Sequence, residues 1–126
     1  FPAFAMDLDV RVWDSLKAAD VMICDWSGAA LEFALGLCKP VVFVDVPRKV
    51  NNPDYAELGC EPLEVGIRQR IGMVLSPTEL ATLPACLATL DTHWDETMAR
   101  ERAGSVFNVG HSAEVGAAYI MGLLSS

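Results

Sequence analysis

Residues 19–44 constrain the fold of this chain more than any other stretch. Two apolar runs of strand length, Val21-Met22-Ile23-Cys24 and Val41-Val42-Phe43-Val44, bracket a segment of helix length that opens on Asp25-Trp26-Ser27-Gly28 and closes on Lys39-Pro40. Runs of this kind on either side of a helix are the pattern of a βαβ crossover, whose two strands lie parallel. The polar residues fall where the first strand hands over to the helix. Open α/β sheets bind ligands at such junctions, because backbone N–H groups at the helix start converge on an anion and serine with glycine lets it approach closely. Ser27 and Gly28, with Asp25 beside them, therefore read as a phosphate-binding site. Asp25 and Ser27 are equally suited to capping the helix, since a cap and an anion use the same N–H groups.

The chain has 126 residues, 52% of them hydrophobic, which is enough to fill the core of one domain spanning 1–126. No apolar run approaches the length of a membrane span. The opening Phe1-Pro2-Ala3-Phe4-Ala5-Met6 has neither the basic start nor the apolar length of a signal peptide, so a cytoplasmic site is expected. Position 1 is not Met and a helix precedes the first strand, from which we expect a domain of a longer polypeptide. A net charge of −8 with only 9 Lys and Arg argues against a nucleic-acid-binding surface. A nucleotide is still allowed, because one or two phosphates can be held by backbone dipoles and a single cation. Cys24, Cys38, Cys60 and Cys86 form no C-x-x-C pair and read as buried free thiols. With His93 and His111 as the only histidines there is no metal-ligand spacing, and neither a metal nor a cofactor is implied.

Outside the βαβ unit, Asp7-Leu8-Asp9-Val10-Arg11-Val12 alternates as an edge strand or an extended lead-in. Ser15 to Ala19 reads as a short helix after Asp14, with Trp13, Leu16 and Ala19 inward. Residues 45–70 hold Pro47, Pro53, Pro62, Gly59 and Gly66, a density of breakers that predicts a long loop with one helical turn at Asp54 to Leu58. Arg48, Lys49, Arg68 and Arg70 in this segment read as solvated charges, one of which is placed to neutralise a phosphate. Ile71 to Leu75 is a third strand. Ser76-Pro77-Thr78-Glu79 carries the capping signature of a helix running through Leu80, Leu83, Leu87 and Leu90, kinked or restarted at Pro84. Asp91 or Thr92 caps a further helix with Trp94 and Met98 inward. After a break at residues 106–112, Ser112 opens a last helix through Val115, Tyr119, Ile120, Leu123 and Leu124.

Asp25-Trp26-Ser27-Gly28, Glu32-Phe33-Ala34, Lys39-Pro40 and the late Phe107-Asn108-Val109-Gly110-His111-Ser112 resemble the nucleotide-binding half of GT-B-type transferases. The nearest likeness is to the CDP-glycerol glycerophosphotransferases of teichoic-acid synthesis, a cell-wall biogenesis activity. A second is to UDP-N-acetylglucosamine 2-epimerases, in the spacing of Ser27 to Glu32 and in Pro53-Asp54-Tyr55-Ala56-Glu57-Leu58-Gly59. The resemblance implies that Ser27 and Gly28 contact the donor's diphosphate and that Glu32 accepts from a ribose hydroxyl. Gly28 stands where the glycerophosphotransferase pattern has a second serine, and the histidines that family carries upstream have no counterpart here.

The expected fold is a three-layer α/β sandwich, Rossmann-like, with a short parallel sheet and the last helix packed across it, as in the C-terminal half of a GT-B fold. The expected function is to bind a nucleotide-diphosphate donor, CDP-glycerol or a UDP-sugar, for a transferase whose N-terminal acceptor domain lies elsewhere in the polypeptide and whose full-length form associates peripherally with the inner face of the plasma membrane. The isolated domain is expected to be inactive, with His111 as the one candidate general base. The alternatives are an epimerase-like domain and a non-catalytic receiver-like module, in which Asp25 and Asp45 form an acidic cluster at strand ends.

Overall fold

The apolar runs pair as a βαβ unit requires. The computed structural model describes residues 3–8, 12–48, 50, 52–90 and 94–125. In it β1 (Met22–Cys24), β2 (Val41–Val44) and β3 (Gly72–Leu75) form an open parallel sheet in the order β1-β2-β3. Met22, Val41 and Gly72 stand in one row, and Cys24, Phe43 and Val74 in another. Because side chains alternate along a strand, these two rows share one face of the sheet. That face carries the core, where Ala30, Phe33, Ala34, Leu35, Ile67, Ile71 and Met98 close over Val41 and Phe43. Each large side chain fully buried there contributes about 1.5–3 kcal/mol, and this packing sustains strands of only three or four residues.

The first crossover is a helical turn, α2 (Ala29–Leu31), continuous with a π-helical turn at Glu32–Gly36. Ahead of it, α1 (Trp13–Ala18) places Leu16 and Ala19 against the core, while Trp13 is 52% exposed and not inward. The Lys39-Pro40 pair has a structural use. Lys39 Nζ donates to the carbonyls of Lys17 and Ala19, both at 2.6 Å, and so fastens the end of α1 to the start of β2.

The second crossover has the helical turn expected at Asp54 to Leu58 but adds two short helices where loop was expected. A 3-10 turn at Pro53–Leu58 ends on Gly59, whose φ of 64° is the left-handed conformation that glycine adopts without penalty. It is followed by α3 (Leu63–Gly66) and α4 (Arg68–Ile71). Leu63, Ile67 and Ile71 recur at four-residue spacing, and burial of Ile67 and Ile71 outweighs the local breakers. Arg70 is solvent-exposed, as expected, and is also tied down: its Nε donates to Glu101 at 2.9 Å and its Nη1 to the carbonyl of Gly66 at 3.0 Å.

Ser76 and Glu79 form the expected capping box, on a 3-10 turn at Pro77–Thr82, and Pro84 marks a restart as the second residue of α5 (Leu83–Thr89). In α6 (Trp94–Ser105) Met98 is buried and Trp94 packs on the core, as expected. Asn108 and Gly110 take positive φ and break the chain before α7 (Ser112–Leu124). This helix does not pack across the sheet. Every one of its residues is exposed, with Tyr119 at 69% and Leu124 at 77%. Nor are the thiols buried, since Cys24, Cys38 and Cys86 are half-buried and Cys60 is exposed, all unpaired. The alternating segment forms no strand at Asp7, Leu8 or Val12, and Asp9, Val10 and Arg11 lie outside the described residues, as do Lys49, Asp91, Thr92 and His93. No helix among the described residues is long and apolar enough to cross a membrane.

Candidate functional site

At the carboxyl ends of β1 and β2 the chain leaves a pocket of about 260 Å³. Asp25, Trp26, Ser27 and Gly28 line it from the β1–α2 junction. Phe43 of β2 lines it from the sheet, Arg48 from the segment after β2, and Pro62, Glu64, Val65 and Arg68 from α3 and α4. This is where parallel α/β sheets hold ligands, because the turns that follow the strands gather there.

Asp25, Ser27 and Gly28 thus come together as expected, but not as caps. Gly28 occupies the cap position with helical φ −61° and ψ −30°, and no side chain caps the helix. Ala30 and Leu31 donate back to the carbonyls of Ser27 and Gly28. The N–H groups of Gly28 and Ala29 precede these first bonds and are the donors that a helix start leaves for an anion. Glu32, by contrast, is exposed in the π-helical turn and does not line the pocket. The carboxylates that do are Asp25 and Glu64. His111 is exposed before α7, where its Nδ1 lies 3.1 Å from the carbonyl of Val109, and it too is outside the pocket.

The residue that dominates the site electrostatically is Arg68. Its side chain is 7% exposed, against the solvated charge expected of a loop arginine. Its guanidinium lies 3.9 Å from the ring centroid of Trp26 and 5.0 Å from that of Phe43. Nη1 donates to Asp45 Oδ1 at 2.8 Å, while Nε and Nη2 are buried without a hydrogen-bond partner among the described residues. Asp45 is half-exposed and is positioned by its backbone N–H, which donates to the carbonyl of Leu75. Trp26 is positioned by its Nε1, which donates to the carbonyl of Val46 at 2.8 Å. At the pocket's edge Arg48 stacks over Tyr55, 4.6 Å from the ring centroid. Arg48 and Arg68 bring two positive charges to a pocket that Asp25 and Glu64 also line, in a chain of net charge −8. The signal for Arg68 is its place beside Ile67, which with Ile71 four residues on supplies the apolar positions that the core buries.

Cys24, at the end of β1, is a poor nucleophile in this setting. Burial pushes its thiol pKa up, the Asp25 carboxylate adds to the rise, and Arg68 opposes it. Thiolate is the reactive form, so the rise lowers reactivity at every pH below the folded-state pKa. At pH 8 we expect iodoacetamide to label Cys24 about 10-fold more slowly than the exposed Cys60, the gap closing only at alkaline pH. Peptide mass spectrometry of a labelling time course measures both rates, and equal rates would contradict this environment.

Comparison of the chain with protein-family models, with curated proteins and with solved structures finds no match.

Proposed function

We propose that this domain holds the diphosphate of a nucleotide-linked donor, CDP-glycerol or a UDP-sugar, for a transferase that moves glycerophosphate or a sugar. The carrying observation is that one pocket brings together a helix start at Ser27 and Gly28 and a buried arginine with two unpaired donors. The volume sets which part of the donor is enclosed: pockets that bury a whole drug-sized ligand measure roughly 300–1,000 Å³. At about 260 Å³ this one takes the phosphates and leaves the rest of the donor at its edge, where Glu64 offers an acceptor to a hydroxyl.

On this reading the fold is the Rossmann-like, three-layer C-terminal half of a GT-B enzyme. The N–H groups at the helix start, Ser27 and Arg68 stabilise the negative charge that builds on the leaving nucleotide as the donor bond breaks, UDP when a sugar moves and CMP when glycerophosphate moves. The acceptor and its general base come from another domain, and these residues alone bind without turnover. Asp45, which a receiver-like module would need in an acidic cluster, is bonded to Arg68 and weighs against that alternative.

Calorimetric titration with CDP and UDP tests the proposal. We expect a Kd on the order of 0.1–1 mM, because the pocket closes over only part of the ligand. A preference for one base separates the glycerophosphotransferase likeness from the epimerase likeness. Gly28→Val should weaken binding at least about 10-fold. A Cβ at Gly28 meets no heavy atom within 4 Å and the backbone is already helical, so the same variant should lose no more than about 1 kcal/mol of stability. Absence of binding at millimolar nucleotide would contradict the donor reading.

A further inference from the structure

Arginine presents its donors as edges. Nε and Nη2 form the side edge, two roughly parallel N–H groups spaced to match two oxygens of one phosphate or carboxylate. In Arg68 this is the edge without a partner, while Nη1, outside it, is the nitrogen held by Asp45. The division is unusual for a buried structural arginine, which is expected to have its donors answered by carbonyls or carboxylates. Here one nitrogen fastens the side chain, the rings of Trp26 and Phe43 fix its plane, and the fork is left over.

We propose that Arg68 receives one phosphate group of the ligand bidentately through Nε and Nη2, with Asp45 and Trp26 as the positioning residues. This assignment rests on the donor-binding reading of the pocket and names the residue that recognises the phosphate within it. Nε and Nη2 are shielded from solvent in the ligand-free chain, so engaging a phosphate takes a turn of the guanidinium toward the pocket that Arg68 lines. The oxyanion then supplies both missing acceptors at once. Asp45 stays on Nη1 as the pivot of that turn, and its half-exposed carboxylate remains hydrated. A monodentate cation would supply charge without this match. Lysine at this position would present a point charge with no planar fork, no stacking partner for Trp26 and no second donor on the same phosphate.

Arg68→Lys therefore separates geometry from charge. In calorimetric titrations with UDP and CDP, the wild-type chain is expected to bind and Arg68→Lys to bind at least about 10-fold more weakly, although net charge is unchanged. Should Arg68→Lys not fold, as judged by circular dichroism, the Nε–H resonance of Arg68 in the wild-type chain is followed by nitrogen-15 NMR during the same titration. Nucleotide is expected to shift it downfield in step with the Gly28 amide. Equal binding by wild type and Arg68→Lys, or an Nε–H signal that stays in place while Gly28 shifts, would overturn the role of Arg68 and leave the donor reading standing. If the wild-type chain binds neither nucleotide, the donor reading fails and this assignment fails with it.

Discussion

Gly72→Ala is expected to cost at least about 3 kcal/mol, a large fraction of the stability of a domain of this size. A Cβ built at Gly72 would sit 1.9 Å from the carbonyl oxygen of Val41 and 2.7 Å from its carbonyl carbon. Both are backbone atoms of β2, the central strand, so no side-chain rotation can relieve the clash. Either β3 moves away and its pairing with β2 is lost, or β2 moves and disturbs Val41 and Phe43 in the core. The chain also passes from α4 to β3 with no residue between Ile71 and Gly72, so no loop can absorb the displacement. Urea melts of the two proteins, followed by circular dichroism, measure the difference. A midpoint within experimental error of wild type would show that the close approach of Gly72 to Val41 is absent in solution.

Arg68→Met should behave in the opposite way, losing nucleotide binding while keeping or gaining stability. Three contributions decide the sign. The ion pair with Asp45 is weak as a stabiliser, because Asp45 is half-exposed and returns to water when its partner is removed. The ring contacts with Trp26 and Phe43 contribute about 0.5–2 kcal/mol each, and methionine recovers part of that through sulfur–aromatic contact. Against these stand two buried, charged donors without partners, each costing about 1–3 kcal/mol. The net change should lie between zero and about 2 kcal/mol of stabilisation, in line with the replacement of buried ion pairs elsewhere. Chemical denaturation reports the stability and calorimetry with UDP or CDP the binding. A loss above about 2 kcal/mol would make Arg68 a structural residue.

Much of this layout is legible in the residues themselves, and the failures have physical causes. The strands were clear because β-branched runs of four residues with a helix-length spacer have few other uses, and the Ser27-Gly28 junction followed from their order. Arg68 was not, because an arginine among prolines and glycines carries no periodic signal of its own. Its burial comes from α3 and α4, which form only because Ile67 and Ile71 find the sheet. Glu32 is expected at the ligand only through the family resemblance, and in the structure it lies exposed in a π-helical turn outside the pocket. For α7 the apolar spacing predicted the helix correctly but said nothing of what it packs against, and its Tyr119, Ile120, Leu123 and Leu124 are all exposed. Trp13 fails similarly: a six-residue helix has room for Leu16 on the core but leaves Trp13 at its first position outside.

The central claim is a location as well as an affinity, and an amide-resolved NMR titration of the nitrogen-15-labelled chain with UDP and CDP tests both together. The expected result is a saturable set of shifts at Ser27, Gly28, Ala29 and Arg68, with the indole N–H of Trp26 moving in parallel and His111 unaffected. Shifts centred instead on Gln69, Arg70, Trp94 and Glu101, which line a separate cleft between α4 and α6, would contradict it, as would no shift at millimolar nucleotide.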